Sequence, residues 1–192
     1  MASTREIRRR IKSVRNTAQI TKAMQMVASS KMVRAQQSAL NGRAFATMTI
    51  DLMSRLAADP QEEVHPLMAE REIKKRALIV VSTDKGLCGA LNSNLFREAA
   101  KYDPAATVFI AVGRKAAQFL ARARRKLAAE FSYHDTPDYE DCRAISRFAQ
   151  DLFLKGEVDV VEVLFTRFIN TLSQRPEALV LQIGRASCRE RV

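Results

Sequence analysis

A chain of 192 residues with 47% apolar and 28% charged side chains holds enough apolar mass for one soluble domain plus an extension. It has no run of roughly 18 apolar residues, which excludes a membrane-spanning helix, and no apolar stretch behind its basic first residues, which argues against a secretory signal and for the cytoplasm. Three cysteines (Cys88, Cys142, Cys188) outside any CxxC spacing and only two histidines (His65, His134) give no reason to expect a metal site or a disulfide framework.

The formal charge of +11 is unevenly spread. Residues 1–58 carry eleven Lys/Arg against Glu6 and Asp51, a net +9, whereas residues 59–182 carry eighteen of each sign. A neutral domain with a basic arm is the expectation, and the arm is where an acidic partner would bind.

The arm comes first in the chain. No proline precedes Pro60, the only glycine before it is Gly42, and the composition favours Ala, Met, Gln, Lys and Arg. A helix over residues 4–58 follows, started by Ser3 or Thr4 and stopped at Asp59-Pro60, roughly 80 Å long at a rise of about 1.5 Å per residue. Alternating steps of four and three residues pick out one stripe: Ile7, Ile11, Val14, Ala18, Thr21, Gln25, Ala28, Met32, Ala35, Ala39, Gly42, Ala46, Thr49, Met53. None of these is charged, so the stripe is a coiled-coil seam, and its small residues call for close approach of a partner helix. Phe45, Met48, Leu52 and Leu56 widen the apolar face near the helix end and are expected to dock on the domain that follows.

After a polar linker, 59–76, the periodicity changes. Strands are expected at 77–82, 107–112 and 158–165, with a fourth beginning at 178–182, and helices at 91–101, 115–128 and 140–154. Alternating strands and helices predict an α/β domain over 77–182, with a mostly parallel sheet and helices on both faces. The loop after the first strand, Ser82 to Asn92, contains Gly86 and Gly89 but is neither GxGxxG nor GxxxxGK[ST], and no acidic residue follows the second strand to hold a ribose. Its glycines therefore predict a tight turn, and Cys88 a small packed residue without a neighbouring histidine base. Asp135, Asp138, Glu140 and Asp141 flank a helix start, where carboxylates suit capping better than acid–base catalysis.

Three segments carry a family resemblance: Ile20–Met32 (ITKAMQMVASSKM), Val81–Phe96 (VSTDKGLCGALNSNLF) and Phe168–Gln174 (FINTLSQ). Together, over residues 1 to 182, the chain resembles the gamma subunit of bacterial F-type ATP synthases. That resemblance implies a long N-terminal coiled-coil helix plus a Rossmann-like, three-layer α/β foot. It also implies a non-catalytic rotary shaft without cofactor, coupling a proton-driven membrane rotor ring of c subunits to ATP synthesis or hydrolysis in an alpha/beta ring. The implied partners are the alpha, beta and epsilon subunits and the c ring, with a peripheral position on the cytoplasmic face of the inner membrane. Carried over position by position, Lys22, Met24 and Lys31 face acidic loops of the beta subunits, with Arg8, Arg9, Lys12 and Arg15 nearer the tip. The last ten residues, 183–192 (IGRASCRERV), depart from the family and resemble translated sequencing adapter. On that reading the family's C-terminal helix, which pairs with the seam, is missing.

Two other classes fit the composition less well. A nucleic-acid-binding protein would use the basic arm on phosphates, but its cations flank an uncharged seam and no aromatic interleaves them for stacking. A nucleotide-dependent enzyme would need a phosphate loop that residues 82–92 do not spell.

Overall fold

The computed structural model describes residues 3–56, 66–68, 71–133 and 137–181, apart from the side chains of Met53, Ser54, Leu56 and Met68. Asp59-Pro60, His65, His134, Asp135, Cys188 and all of 183–192 lie outside the described residues, as do the side chains of the expected contact residues Met53 and Leu56. The chain divides into two compact units, Met1–Leu52 and Met53–Val192. Among the described residues no helix is long and apolar enough to cross a membrane, and no group of His, Cys, Asp and Glu is placed to hold a metal ion.

Among the described residues the first unit is one helix, α1 (Thr4–Leu56), whose last four residues belong to the second unit. The amides of Glu6 and Ile7 both donate to the carbonyl of Ser3, at 2.8 and 3.1 Å, so Ser3 starts the helix through its backbone. Glu6 in the first turn and Arg55 in the last both complement the helix dipole. Fifty-three residues give a helix about 80 Å long.

The second unit runs β1 (Arg76–Val81), α2 (Leu91–Ala100), β2 (Thr107–Val112), α3 (Arg114–Arg122), β3 (Leu127–Phe131), α4 (Tyr139–Leu154), β4 (Val160–Phe168) and β5 (Gln174–Val180). The sheet order is β3-β2-β1-β4-β5, parallel throughout except that β5 runs antiparallel to β4. Its two faces are covered by different helices. Leu78, Val80, Phe109 and Leu164 pack with Leu95 of α2 and Leu120 of α3, whereas Ile79, Ile110 and Val161 pack with Leu152 and Phe153 of α4. Because both faces of β1 and β2 are buried, their sequences read as continuous apolar runs rather than as alternation.

Three elements differ from the sequence expectation, and the strand expected at 158–165 is shifted to Val160–Phe168. The helix expected over 115–128 stops at Arg122, and residues 127–131 form β3, an edge strand. The stop is a Schellman turn: Arg125 N–H donates to Leu120 O and Arg124 N–H to Ala121 O, with Arg124 itself at φ 51°. Glycine normally marks that position, and an arginine there hid the helix end. The matching turn after α4 does use glycine, with Gly156 at φ 72°, and there the helix ends where expected. At the other edge, the expected fourth strand begins earlier, at Gln174, because β5 tolerates Pro176 as an edge strand does.

One buried charge has to be neutralised for this fold. Glu162 of β4 is only 6% exposed and faces the side covered by α2. Arg76 at the start of β1 is ion-paired with it, and the Tyr102 hydroxyl donates to its second oxygen at 2.8 Å. Arg125 in turn donates to the carbonyls of Tyr102 and Ala100 at 3.0 and 3.2 Å, tying the end of α2 to the start of β3. Burial, and then the bond to and charge of Glu162, push the Tyr102 phenol well above its ordinary value of 10.0.

Two outcomes follow from these features. Arg124→Gly is expected to raise stability by about 1 kcal/mol in thermal or urea unfolding, by removing a left-handed non-glycine residue. Since the Tyr102 pKa is raised in the folded state, its contribution is complete below about pH 10 and is lost as pH rises above it, when the unfolded chain ionises first. Urea unfolding between about pH 8 and pH 11 should therefore show a decline in stability that Tyr102→Phe makes shallower.

Candidate functional site

Two surfaces hold the residues singled out in the sequence: the length of α1, and the end of the sheet where the strands finish. On α1 the seam residues Ile7, Ile11, Val14 and Met32 are exposed, as are Ala18, Ala28, Ala35 and Ala39. At about 100° per residue they share one stripe that drifts slowly around the helix, as a 3.5-residue repeat must on a 3.6-residue helix. The seam hydroxyl of Thr21 bonds back to the carbonyls of Thr17 and Ala18, each at 3.0 Å, so a polar residue in the stripe has its donor satisfied within the helix.

The helix sorts the seven cationic and apolar contact candidates by face. Arg8, Lys12, Arg15 and Lys22 fall on one flank, roughly 70–130° from the local seam, and Arg9 lies roughly opposite it. Met24 and Lys31 fall together on the other flank, roughly 70–90° from the seam. Lys22 and Lys31 are nine positions apart, which puts them about half a turn apart around the axis, so the helix does not bring them together. All seven are exposed.

In the second unit, the loop between β1 and α2 is built around the start of α3. That helix has Gly113 at its N-cap and no capping side chain of its own. Its first three amides are satisfied from the loop instead: Arg114 N–H donates to Asp84 Oδ1 (2.8 Å), Lys115 N–H to Thr83 O (3.2 Å) and Ala116 N–H to Ser82 Oγ (2.7 Å). A helix N-terminus is a ready place for a phosphate, and here the loop's own oxygens occupy it. Gly113 is at φ 97°, and a Cβ there would stand 2.5 Å from Ser82 O, so only glycine allows the approach. The Tyr133 hydroxyl donates to that same Ser82 oxygen at 2.6 Å, and burial and the charge of Asp84 raise its pKa.

Further along, Asn92 Nδ2 donates to Thr83 Oγ1 at 2.8 Å and to Cys88 Sγ at 3.3 Å, closing the loop on itself. Cys88 is half-buried in this network. Leu87, at φ 62°, stands at the tip and is 97% exposed. The third motif folds alongside: Asn170 Oδ1 accepts from the amides of Leu172 and Ser173 at 2.9 and 2.7 Å and shapes the β4–β5 turn, leaving Leu172 96% exposed. A cleft of about 240 Å³ separates the two motifs, with Cys88 and Leu91 on one wall and Thr166 and Gln174 on the other. It lies at the carboxyl ends of β1 and β4, where the strand order reverses.

The acidic group before α4 caps that helix, as its spacing suggested: Asp138 N–H donates to Asp141 Oδ2 at 3.2 Å in a capping box. The role of Ser82, Thr83 and Asp84 in capping a helix thirty residues away was not read from the sequence. Its signal was a helix start at Val112-Gly113-Arg114 with no Ser, Thr, Asp or Asn to cap it.

The sequence model of the family described as ATP synthase matches residues 3–183. The chain belongs to this family. Among curated relatives it is 48% identical over 176 residues to the ATP synthase gamma chain of Opitutus terrae, covering 92% of this chain and 60% of that one. It is 40% identical to the ATP synthase gamma chain of Methylacidiphilum infernorum, covering 92% and 62%. The chain thus spans about three fifths of the length of these relatives. Among solved structures it resembles a chain from the central stalk and c-ring of the Tetrahymena thermophila mitochondrial ATP synthase, at TM-score 0.70 and 27% identity, over 85% of this chain and 72% of that one. A chain of the Euglena gracilis mitochondrial ATP synthase shares the fold at TM-score 0.63 and 15% identity, over 91% and 55%.

Gly113→Ala is expected to cost about 3 kcal/mol or more, because the new methyl meets backbone rather than a movable side chain. A fall in the urea midpoint measures it, whereas Gly42→Ala, on open helix surface, should raise the midpoint.

Proposed function

We propose that this chain is the foot and the first half of the shaft of a rotary ATP synthase, the central subunit that couples a proton-driven membrane ring to ATP synthesis or hydrolysis. The observation that carries the reading is α1: a helix of 53 residues with an uncharged, small-residue seam exposed along it and cations kept to its flanks. Such a helix is built to be half of a coiled coil. The likeness to a central-stalk chain and to curated gamma chains supports the same role.

In this reading the chain does no chemistry of its own and binds no cofactor. Residues 1–58 are the shaft helix, 59–76 a linker and 77–182 the foot, while the seam pairs with the C-terminal helix of the full-length subunit. Residues 183–192 are not native sequence. The alpha and beta subunits surround the shaft, and the foot meets the epsilon subunit and the c ring, at the cytoplasmic face of the membrane. Lys22, Met24, Lys31, Arg8, Arg9, Lys12 and Arg15 face the acidic loops of the beta subunits. Because the cations lie on both flanks of the seam, a turning shaft offers those loops charge at some angles and an apolar Met24 beside Lys31 at others. Cations push on acidic levers through space, and apolar contacts slide without locking.

The test is assembly. Residues 1–182 joined to the C-terminal remainder of the Opitutus terrae gamma chain should co-purify with alpha and beta subunits, and failure to do so overturns the assignment. In the assembled, membrane-bound complex, Met24→Lys is expected to leave assembly intact and reduce ATP-driven proton pumping severalfold, by adding an ion pair that holds the shaft at one angle. Unchanged pumping would refute the role given to Met24.

A further inference from the structure

The turn between α3 and β3 concentrates charge that the second unit leaves unpaired. Arg122, Arg124 and Lys126 follow one another at every second position, and all three are exposed. Other cations nearby are engaged: Arg76 pairs with Glu162, Lys101 with Glu98 at 2.7 Å, and Arg125 donates to the carbonyls of Tyr102 and Ala100. Those two bonds from Arg125 bring the end of α2 beside the turn, yet the carboxylates there are taken. Glu98 is held by Lys101, and Asp103 accepts from the amide of Ala105 at 3.0 Å. Among the described residues, Arg122, Arg124 and Lys126 have no acidic partner.

Fold stability accounts for only one of the three. Arg122, in the last turn of α3, complements the helix dipole. Arg124 is held at φ 51°, a left-handed position that glycine fills at less cost, so the fold bears strain to keep a charged side chain there. Lys126 lies beyond the helix, close to two like charges whose repulsion an anion relieves. The surroundings say what kind of anion. Among the described residues no large apolar side chain between Leu87 and Tyr139 is exposed, so the turn lacks the apolar core on which a protein interface is built. Its exposed neighbours Ala121, Ala123 and Ala128 are small and leave the three cations standing clear. Whatever meets this turn is held by charge alone.

We propose that the α3–β3 turn is a contact for the phosphate headgroups of an anionic lipid surface, held by Arg122, Arg124 and Lys126. Guanidinium forks match phosphate oxygens in pairs, and each cation near such a surface strengthens binding about fivefold. The contact stays among the headgroups and does not enter the hydrocarbon. Being electrostatic, it weakens as salt is raised. The inference goes beyond the shaft reading and does not need it, since the charge and exposure of the turn are the same whatever pairs with α1.

The basic helix α1 is drawn to anionic vesicles as well, so the measurement has to be local. A fluorescent amino acid replaces Ala123 in the turn or, for comparison, the exposed Tyr139 at the start of α4, in the full chain. Vesicles of phosphatidylcholine with about 30% phosphatidylglycerol carry an energy acceptor on their headgroups. Energy transfer from position 123 is expected to exceed that from position 139 and to vanish with pure phosphatidylcholine. The ratio of docked to undocked turn, read from that transfer, should fall about fivefold in Arg124→Gly and about a hundredfold when Arg122→Gln and Lys126→Gln are added. Arg124→Gly is the more stable variant, so a loss of fold does not produce its weaker docking. Equal transfer from the two positions, transfer with neutral vesicles, or transfer unchanged in the triple variant overturns the proposal. Abolition by inorganic phosphate at matched ionic strength makes the ligand a free phosphate, and abolition by polyglutamate makes it an acidic protein; either result defeats the lipid assignment. A chain that joins alpha and beta subunits but shows no such transfer keeps the shaft role and loses this one.

Discussion

The approach of Gly113 to the carbonyl of Ser82 is the contact on which the arrangement of the second unit turns. The end of β1 and the start of α3 can meet at that distance only because position 113 lacks a side chain. Once they meet, Ser82, Thr83 and Asp84 fall in line with the first three amides of α3, and Tyr133 reaches the same carbonyl from beyond β3. Three segments far apart in the chain are fastened at one point. The rest of the loop, closed by Asn92, then has a fixed base from which to hold Leu87 out into solvent and to form one wall of the cleft beside the β4–β5 turn.

This fastening also sets the unit apart from strand–loop–helix folds of nucleotide-binding type. Such folds bind phosphate where a helix N-terminus opens on a glycine-rich turn. Here the oxygens that accept those amides come from the protein itself, at hydrogen-bonding distances of 2.7 to 3.2 Å. The glycine-containing loop serves as a rigid joint between the end of β1 and the start of α3.

Much of this could be read from residues alone, for identifiable reasons. The helix α1 shows itself because a long stretch without proline, rich in helix formers and with uncharged residues recurring every 3.5 positions, fits a helix and no strand. β1 and β2 show themselves because burial on both faces demands unbroken apolar runs. β3 does not: Leu127-Ala-Ala-Glu-Phe131 is made largely of helix formers, and the turn before it ends a helix on Arg124 instead of glycine. The start of β5 is concealed by Gln174, Arg175 and Pro176, which an edge strand accepts and a central one does not. The capping of α3 is a non-local bond, and no local pattern could announce its partners.

The charge of α1 has a consequence for what can pair with it. An exposed apolar seam would ordinarily invite two copies of the helix to pair with each other. Each copy carries a net +9 over residues 1–58, arranged along the flanks of the seam where a partner's flanks would lie. Self-pairing therefore brings two rows of like charge together across the interface, while a helix poorer in cations meets no such opposition. The basic flanks act as a filter on what the seam accepts. Because exposed charges are screened over about 8 Å at physiological ionic strength, that filter weakens as salt is raised, whereas the apolar attraction it guards against does not.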